Sequence, residues 1–398
     1  MPVSTFTWLD ATDKDQQRVR EALAAFEQPG MVDPLGLGVI RDTFSDILFP
    51  GISTIQTRAR YFLLVPWVFR RLDREKTTSS SGLRRARELE VATIEALMRG
   101  SSDREGIIGR ESGAATKRLA SVIYWGGLGA WGIRRFDGTI QEYVATLDRR
   151  RQEGSRNGRR NPAELLWPGL PEEPDGLFES ATLELSPEES EFLRDRAMLA
   201  TKGSYLELLL RDGSTEQRGD APWTHPLAGR ASEEVRAQLA HARKFAYAVW
   251  GAGLLYNVIL SERLEEDGQG GLRVDYRDRL NQWTVEMESR RHEFETWNRA
   301  DLWSVLEGAN PRVRGARPFI DWWIDEAVGS PRKIASYSEI GRRIISREQR
   351  VKGARAKLSN RRAREQSPAA QGGGLMSFRW AQVQRIVGDI HEGFYRHA

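Results

Sequence analysis

Few residues in this chain are placed to do chemistry. The densest group lies between Gly38 and Arg71, which reads GVIRDTFSDILFPGISTIQTRARYFLLVPWVFRR. Asp42 and Asp46 are four apart, so a helix would set both carboxylates along one edge. Such an edge is part of a metal-dependent nuclease site, which needs converging carboxylates with a lysine or histidine beside them. Arg41 precedes the pair, and Gln56, Thr57, Arg58 and Arg60 follow it, just ahead of an apolar run. Polar groups in that position cannot be buried cheaply and must meet partners. Two readings stand side by side. One is a structural ion-pair network that uses Asp42 and Asp46, the nearest acids; the other is a site for a phosphate or other anion. The neighbouring arginines favour salt bridges over metal at Asp42 and Asp46.

The elements that must position these groups follow from periodicity. Ile40, Phe44, Ile47 and Leu48 share one helical face, and Pro50-Gly51 ends that helix. Ser53 or Thr54 offers an oxygen to cap a second helix, which then runs from Tyr61 to Phe69 with no polar side chain but the tyrosine hydroxyl. A helix apolar all round belongs in a core, and this run is far short of the roughly 20 residues a membrane span needs.

A second concentration of charge lies in residues 336–364. Arg342, Arg343, Arg347, Arg350, Lys352, Arg355, Lys357, Arg361, Arg362 and Arg364 are opposed between positions 342 and 364 only by Glu348. Ile344, Val351 and Leu358 leave one narrow apolar seam. A helix so basic repels itself unless anions neutralise it, and nucleic-acid backbone is the natural anion. An acidic surface of the same chain or of a partner would serve equally. Residues 112–140 carry another candidate: Ser112 as N-cap, a helical face through Leu119 and Val122, glycines at 126 and 127, then a short aromatic-aliphatic strand and an Asp137-Gly138 turn. That order is winged-helix-like, with Lys117, Arg118, Arg134 and Arg135 as contacts. Small modules of this kind also serve as protein adaptors.

These segments also carry a resemblance. Trp8-Leu9-Asp10, Leu35 to Gly38 and RDTFSDILFPGISTIQTRARYF from Arg41 are followed by Ser121 to Trp125 with Trp131-Gly132-Ile133, Gly253 to Asn257, Arg347-Glu348 with Lys352 to Arg355, and Phe378-Arg379-Trp380 with Asp389-Ile390. In that order they resemble a bacterial family catalogued only as domain of unknown function number six-three-six-one. Pro34 and Ile52 depart from its pattern, where polar residues are expected. The resemblance covers essentially the whole chain and implies no agreed activity. It implies a cytoplasmic bacterial protein encoded near helicases and nucleases of anti-phage defence islands.

Composition narrows the chemistry further. Zero cysteines exclude disulfides, thiolate nucleophiles and sulfur-ligated metals. Histidines at 225, 241, 292, 391 and 397 show no ligand spacing, and no phosphate-binding or dinucleotide loop is present, so no cofactor is expected. Net charge is only +4, but the basic residues are almost all arginine, whose planar fork suits phosphate. A genome rich in G and C would supply arginine without any function attached, so only clustering counts. No secretory or membrane-length apolar run appears, which leaves the cytoplasm as the expected site and no membrane as partner.

The expected fold is mainly α with little β, in two helical domains. An N-terminal domain spans 1–148, an arginine- and proline-rich linker 149–185, and a C-terminal domain 186–398. The first opens with an amphipathic helix at 10–27. The second contains a capping box at Ser186-Pro187-Glu188-Glu189, a long central helix from Ser232, a helix from Arg277 to Leu306, and tryptophans read as core packing. The functional expectation is a non-catalytic, DNA-associated subunit working with helicase or nuclease partners in anti-phage defence. The alternatives are a protein scaffold without DNA contact and a metal-dependent nuclease using Asp42 and Asp46.

Overall fold

A computed structural model of the chain describes residues 33–157, 165–214, 216–272, 274–336, 338–370 and 373–395. The helix expected at 10–27 and the Trp8-Leu9-Asp10 triplet lie outside them. The described residues are mainly α-helical and hold no strand. The chain divides into two compact units: residues 42–243 with 377–398, here the motif unit, and 1–41 with 244–376, here the basic unit.

The motif unit is built on helix Tyr61–Arg74, which buries every residue from Tyr61 to Arg70 and runs through Pro66. Its aromatic side chains meet others on two sides. Phe62 stacks on Trp131 with centroids 4.0 Å apart, and Phe69 contacts Trp125, Tyr143 and Trp167. Helix Ser79–Gly100 packs alongside, burying both Leu89 and Glu90. The Glu90 carboxylate accepts the Ser121 N–H at 2.8 Å and its hydroxyl at 2.7 Å, so it caps helix Ala120–Ala130 from another element. Burial pushes that carboxyl above its ordinary range. The capping box at Ser186 and Glu189 forms and opens helix Pro187–Ala200, against which the closing helix Trp380–Phe394 packs.

Two expectations about this unit are corrected. The expected helix from Ser112 starts at Ala120, after a 3-10 turn at Gly113–Ala115, and no strand follows it, so residues 112–140 form no winged helix. The tail turns back instead. The Arg134 N–H donates to Leu128 O, the Trp125 indole N–H to Gly138 O and the Arg135 N–H to Leu166 O, so the backbone that a wing would pair with a second strand is spent on other partners. Nor do residues 149–185 separate two domains. Helix Leu147–Asn157 enters the segment, Trp167 is buried in the Phe69 cluster, and the Trp67 indole donates to Pro171 O at 2.9 Å.

In the basic unit the later part of helix Glu233–Glu266 carries the packing. Gly251 lies against the indole of Trp283, where any β-carbon would collide with the ring. Trp283 donates to Tyr247 O and Trp323, from helix Arg317–Gly329, to Ala248 O. Trp283 and Trp323 are therefore core, each indole N–H finding a carbonyl. The helix expected from Arg277 to Leu306 is three: Tyr276–Ser289, Arg291–Glu295 and Arg299–Ala309, the last capped by Asn298. The basic segment is helical over Ser338–Lys352, turns at Gly353–Arg355, and is helical again over Arg361–Gln366. Ile344 and Leu358 are buried while Val351 is exposed, so only two of the three seam residues reach the core.

Candidate nucleic-acid interface

The motif loop is closed upon itself. Residues 51–60 do not continue a helix. Ser53 and Thr54 do not cap helix Tyr61–Arg74, which has Arg60 at its N-cap with no side-chain capping bond. Gln56 braces the turn, accepting the Ser53 N–H and donating to Gly51 O. The Tyr124 hydroxyl accepts the N–H groups of Thr57 and Arg58, and the Thr57 hydroxyl donates to Gly106 O at 2.7 Å. Arg58 is buried and its Nε lies 3.0 Å from both carboxylate oxygens of Asp389, on helix Trp380–Phe394. Arg60 Nη2 meets Glu189 at 2.7 Å. That glutamate accepts the Ser186 N–H with its other oxygen, so one carboxylate both closes a cap and pairs a guanidinium.

Asp42 and Asp46 are held by neither Arg58 nor Arg60. Arg379 reaches both, at 3.4 Å and 2.6 Å, and donates to Ile52 O. It does so from a left-handed backbone, φ 63°, beside Phe378 at 51°, conformations that cost a residue with a β-carbon and persist only where packing enforces them. Phe378 is fully buried against Phe44. Arg58 and Arg60 thus already have internal carboxylates, and Asp42 and Asp46, for which salt bridges are favoured over metal, share the guanidinium of Arg379. Among the described residues no group of acids and histidines is arranged to hold a metal ion. Sequence reasoning missed Asp389, Glu189 and Arg379 as the partners; the Phe378-Arg379-Trp380 and Asp389-Ile390 pairs were visible only as resemblance.

A cleft of about 550 Å³ opens over this lock, lined by Arg58, Asp103, Glu184, Arg218, Arg385, Asp389 and Glu392 among others. Its charges are of both signs, which suits no polyanion. His225, on the same wall, donates from Nε2 to Gln217 O and accepts the Leu227 N–H at Nδ1, and burial lowers its pKa. Of the four residues proposed for the absent wing, Arg134 lies over the Trp125 ring at 4.6 Å and donates to Trp125 O and Gly138 O, its pKa lowered by burial. Arg118 is half-buried, and only Lys117 and Arg135 are exposed. These residues make no reading surface.

The basic segment is different. Arg343, Arg347 and Arg350 follow one another at four and three residues, which places them on one face of helix Ser338–Lys352. Two are pre-ordered. Arg343 stacks on Trp322 at 4.8 Å and Arg347 on Phe319 at 4.9 Å, both rings from helix Arg317–Gly329. Arg347 also donates to Leu35 O at 2.8 Å, and burial lowers its pKa. Among the described residues, no acid pairs with Arg342, Arg350, Lys352, Arg355 or Arg362. Others are engaged: Arg364 with Asp267 at 2.7 Å, and Arg361 with Glu365 at 3.0 Å. Glu348, the one acid between positions 342 and 364, is 1 % exposed and neutralises no arginine. Its oxygens accept the Tyr256 hydroxyl and the N–H groups of Lys357 and Leu358, folding the chain back after the helix. Lys357 is buried, its ammonium bonded to Ser367 Oγ at 3.2 Å and Ala369 O at 3.4 Å; burial lowers its pKa, and the charge of Glu348 opposes that only in part.

Fold and site together define a mainly helical protein with one internally neutralised arginine cluster and one basic segment in which, among the described residues, five cations meet no carboxylate. The family model agrees across nearly the whole length. The chain belongs to the family of unknown function DUF6361, whose model matches residues 3–393. No curated protein and no solved structure matches it. Among the described residues no helix is long and apolar enough to cross a membrane.

Proposed function

We propose that this chain is a non-catalytic, DNA-associated subunit of a bacterial anti-phage defence system, acting beside helicase or nuclease partners. In this reading it holds nucleic-acid backbone through the 342–362 surface. The observation that carries the reading is how little acid covers it: Glu348 is consumed inside the fold, and among the described residues Arg342, Arg350, Lys352, Arg355 and Arg362 meet no carboxylate. Arginines held on aromatic rings lose less freedom on meeting phosphate than free ones would, so part of the ordering cost is already met. The defence setting and the helicase or nuclease partners rest on the family resemblance.

Fluorescence anisotropy with a labelled duplex and a labelled single strand, titrated at several salt concentrations, tests the reading. Binding should weaken steeply between about 50 and 200 mM salt, and each phosphate contact removed should lower the slope by about one. The double variant Arg343→Gln/Arg350→Gln should weaken all sequences alike. Absence of binding at low salt, or a flat salt slope, rejects it and leaves a scaffold without DNA contact.

A further inference from the structure

The basic segment contains two differently shaped arrays of charge. Arg343, Arg347 and Arg350 form a row along a helix. Lys352, Arg355, Lys357 and Arg362 instead converge on a cleft of about 480 Å³, with Asn360, Gln366 and Ser367 as neutral hydrogen-bonding groups and Ala354 and Ala363 as small walls. That volume falls in the range of sites that take small ligands.

The charge inside the cleft is unbalanced. Glu348 lines it, but both its oxygens already accept hydrogen bonds from Tyr256, Lys357 and Leu358. The Lys357 ammonium, only 7 % exposed as a residue, finds a hydroxyl and a carbonyl but no carboxylate contact. The charge of Glu348 acts on Lys357 from the same wall, but one carboxylate faces four cations, and an anion in the cleft would balance the remainder. Phosphodiester backbone brings one charge per residue and suits a row. Four cations around one concavity suit a group that concentrates charge, and a phosphomonoester carries about −1.5 to −2 with three acceptor oxygens.

We infer that the cleft lined by Lys352, Arg355, Lys357 and Arg362 is a receptor for a terminal phosphate, carried either by the end of a nucleic-acid strand or by a free nucleotide. The inference deepens the polyanion reading of the same segment and rests on it. Arg355 and Arg362 recognise the phosphate oxygens, Lys357 supplies charge from the floor, and the Arg343–Arg350 row takes the diesters that follow.

The test uses the full chain and one internally labelled oligonucleotide prepared with a phosphate at the 5′ end, at the 3′ end, or at neither. A phosphate at one end should tighten binding by about tenfold, the worth of one charge-assisted contact. Arg355→Gln/Arg362→Gln should erase that advantage and weaken hydroxyl-ended binding by no more than Arg343→Gln/Arg350→Gln does; neither side chain has an acidic partner among the described residues, so the fold is not at stake. Arg343→Gln/Arg350→Gln should weaken phosphorylated and unphosphorylated strands equally. Competition by AMP and ATP separates the sources. Loss of only the phosphate-dependent part on adding either assigns the cleft to free nucleotide as well, and no competition assigns it to strand ends. Equal affinity for all three oligonucleotides, with no nucleotide competition, overturns the inference while the polyanion reading stands. If no oligonucleotide binds at low salt the polyanion reading fails, and the inference falls with it unless AMP binds the wild type and not Arg355→Gln/Arg362→Gln in calorimetry.

Discussion

Arginine is used in opposite ways in the two units. In the motif unit it is an internal fastener. Arg58 is paired with Asp389, Arg60 with Glu189, Arg150 with Asp73, and Arg379 with Asp42 and Asp46, and each of these guanidinium groups is mostly buried. In the basic unit, Arg342, Arg350, Arg355 and Arg362 are exposed and meet no carboxylate among the described residues, while the local acid turns inward to bind backbone N–H groups. The difference teaches that the count of arginines says nothing about a polyanion site. What decides is whether carboxylates elsewhere in the same unit reach them. A buried guanidinium without its acid is costly, whereas an exposed one is hydrated at no penalty and free to release counterions on binding.

The comparison can be broken by substitution. Asp389→Ala strips Arg58 of the carboxylate that its Nε–H shares between both oxygens and should cost about 3–5 kcal/mol in urea unfolding, because a buried charge loses its closest partner. A neutral outcome would mean the lock is not a lock. The joint replacement Arg58→Met/Asp389→Leu should recover most of the loss, since the pair itself contributes little beyond its own desolvation.

Glu348→Ala leaves two backbone N–H groups and the Tyr256 hydroxyl without their acceptor. It should cost about 2–4 kcal/mol, each unsatisfied buried group contributing about 1–3 kcal/mol before relaxation. Hydrogen exchange at residues 353–358 should rise sharply; unchanged protection there would remove Glu348 from the account of how the cleft is shaped. Gly251→Ala forces a methyl into the Trp283 ring and should destabilise by about 1–3 kcal/mol, read as a lower urea midpoint.

A pH series sharpens the contrast within the motif unit. His225 and His391 are held as neutral rings, the latter donating to Leu209 O at 3.0 Å, and burial lowers both from the ordinary 6.5. The unfolded chain then takes up protons at a higher pH than the folded one, so their contribution is whole above about pH 6.5 and falls away as pH drops below it. Melting temperature should therefore decline from pH 7.5 to pH 5.5, and His391→Gln should flatten part of that decline. The smallest effect on stability belongs to Arg355→Gln/Arg362→Gln, which should stay within about 0.5 kcal/mol of the parent. A large loss would show that these side chains are structural after all.

Much of the secondary structure was legible beforehand because helices are made by neighbours. The Pro50-Gly51 break, the buried run from Tyr61, the Ser186 to Glu189 box and the long helix after Ser232 all depend on residues within four or five positions of one another. The errors came where a segment needed a distant partner. A wing at 112–140 requires a second strand, and the chain spends those N–H and C=O groups on Leu128, Trp125 and Leu166 instead. Residues 149–185 look like linker by their prolines and arginines, yet Trp167 and the Pro171 carbonyl are taken into the aromatic core.

By itself the sequence determined an α-rich chain, the family, the apolar helix at its centre and the concentration of cations near the carboxyl end. Only the tertiary structure decided which cations are spoken for. Arg58 and Asp389 are 331 positions apart, and Arg379 reaches back to Asp46 across 333. Helical periodicity is an interaction along the chain, short enough to be written in the order of residues, whereas charge pairing acts through space and depends on the path the backbone takes between the partners.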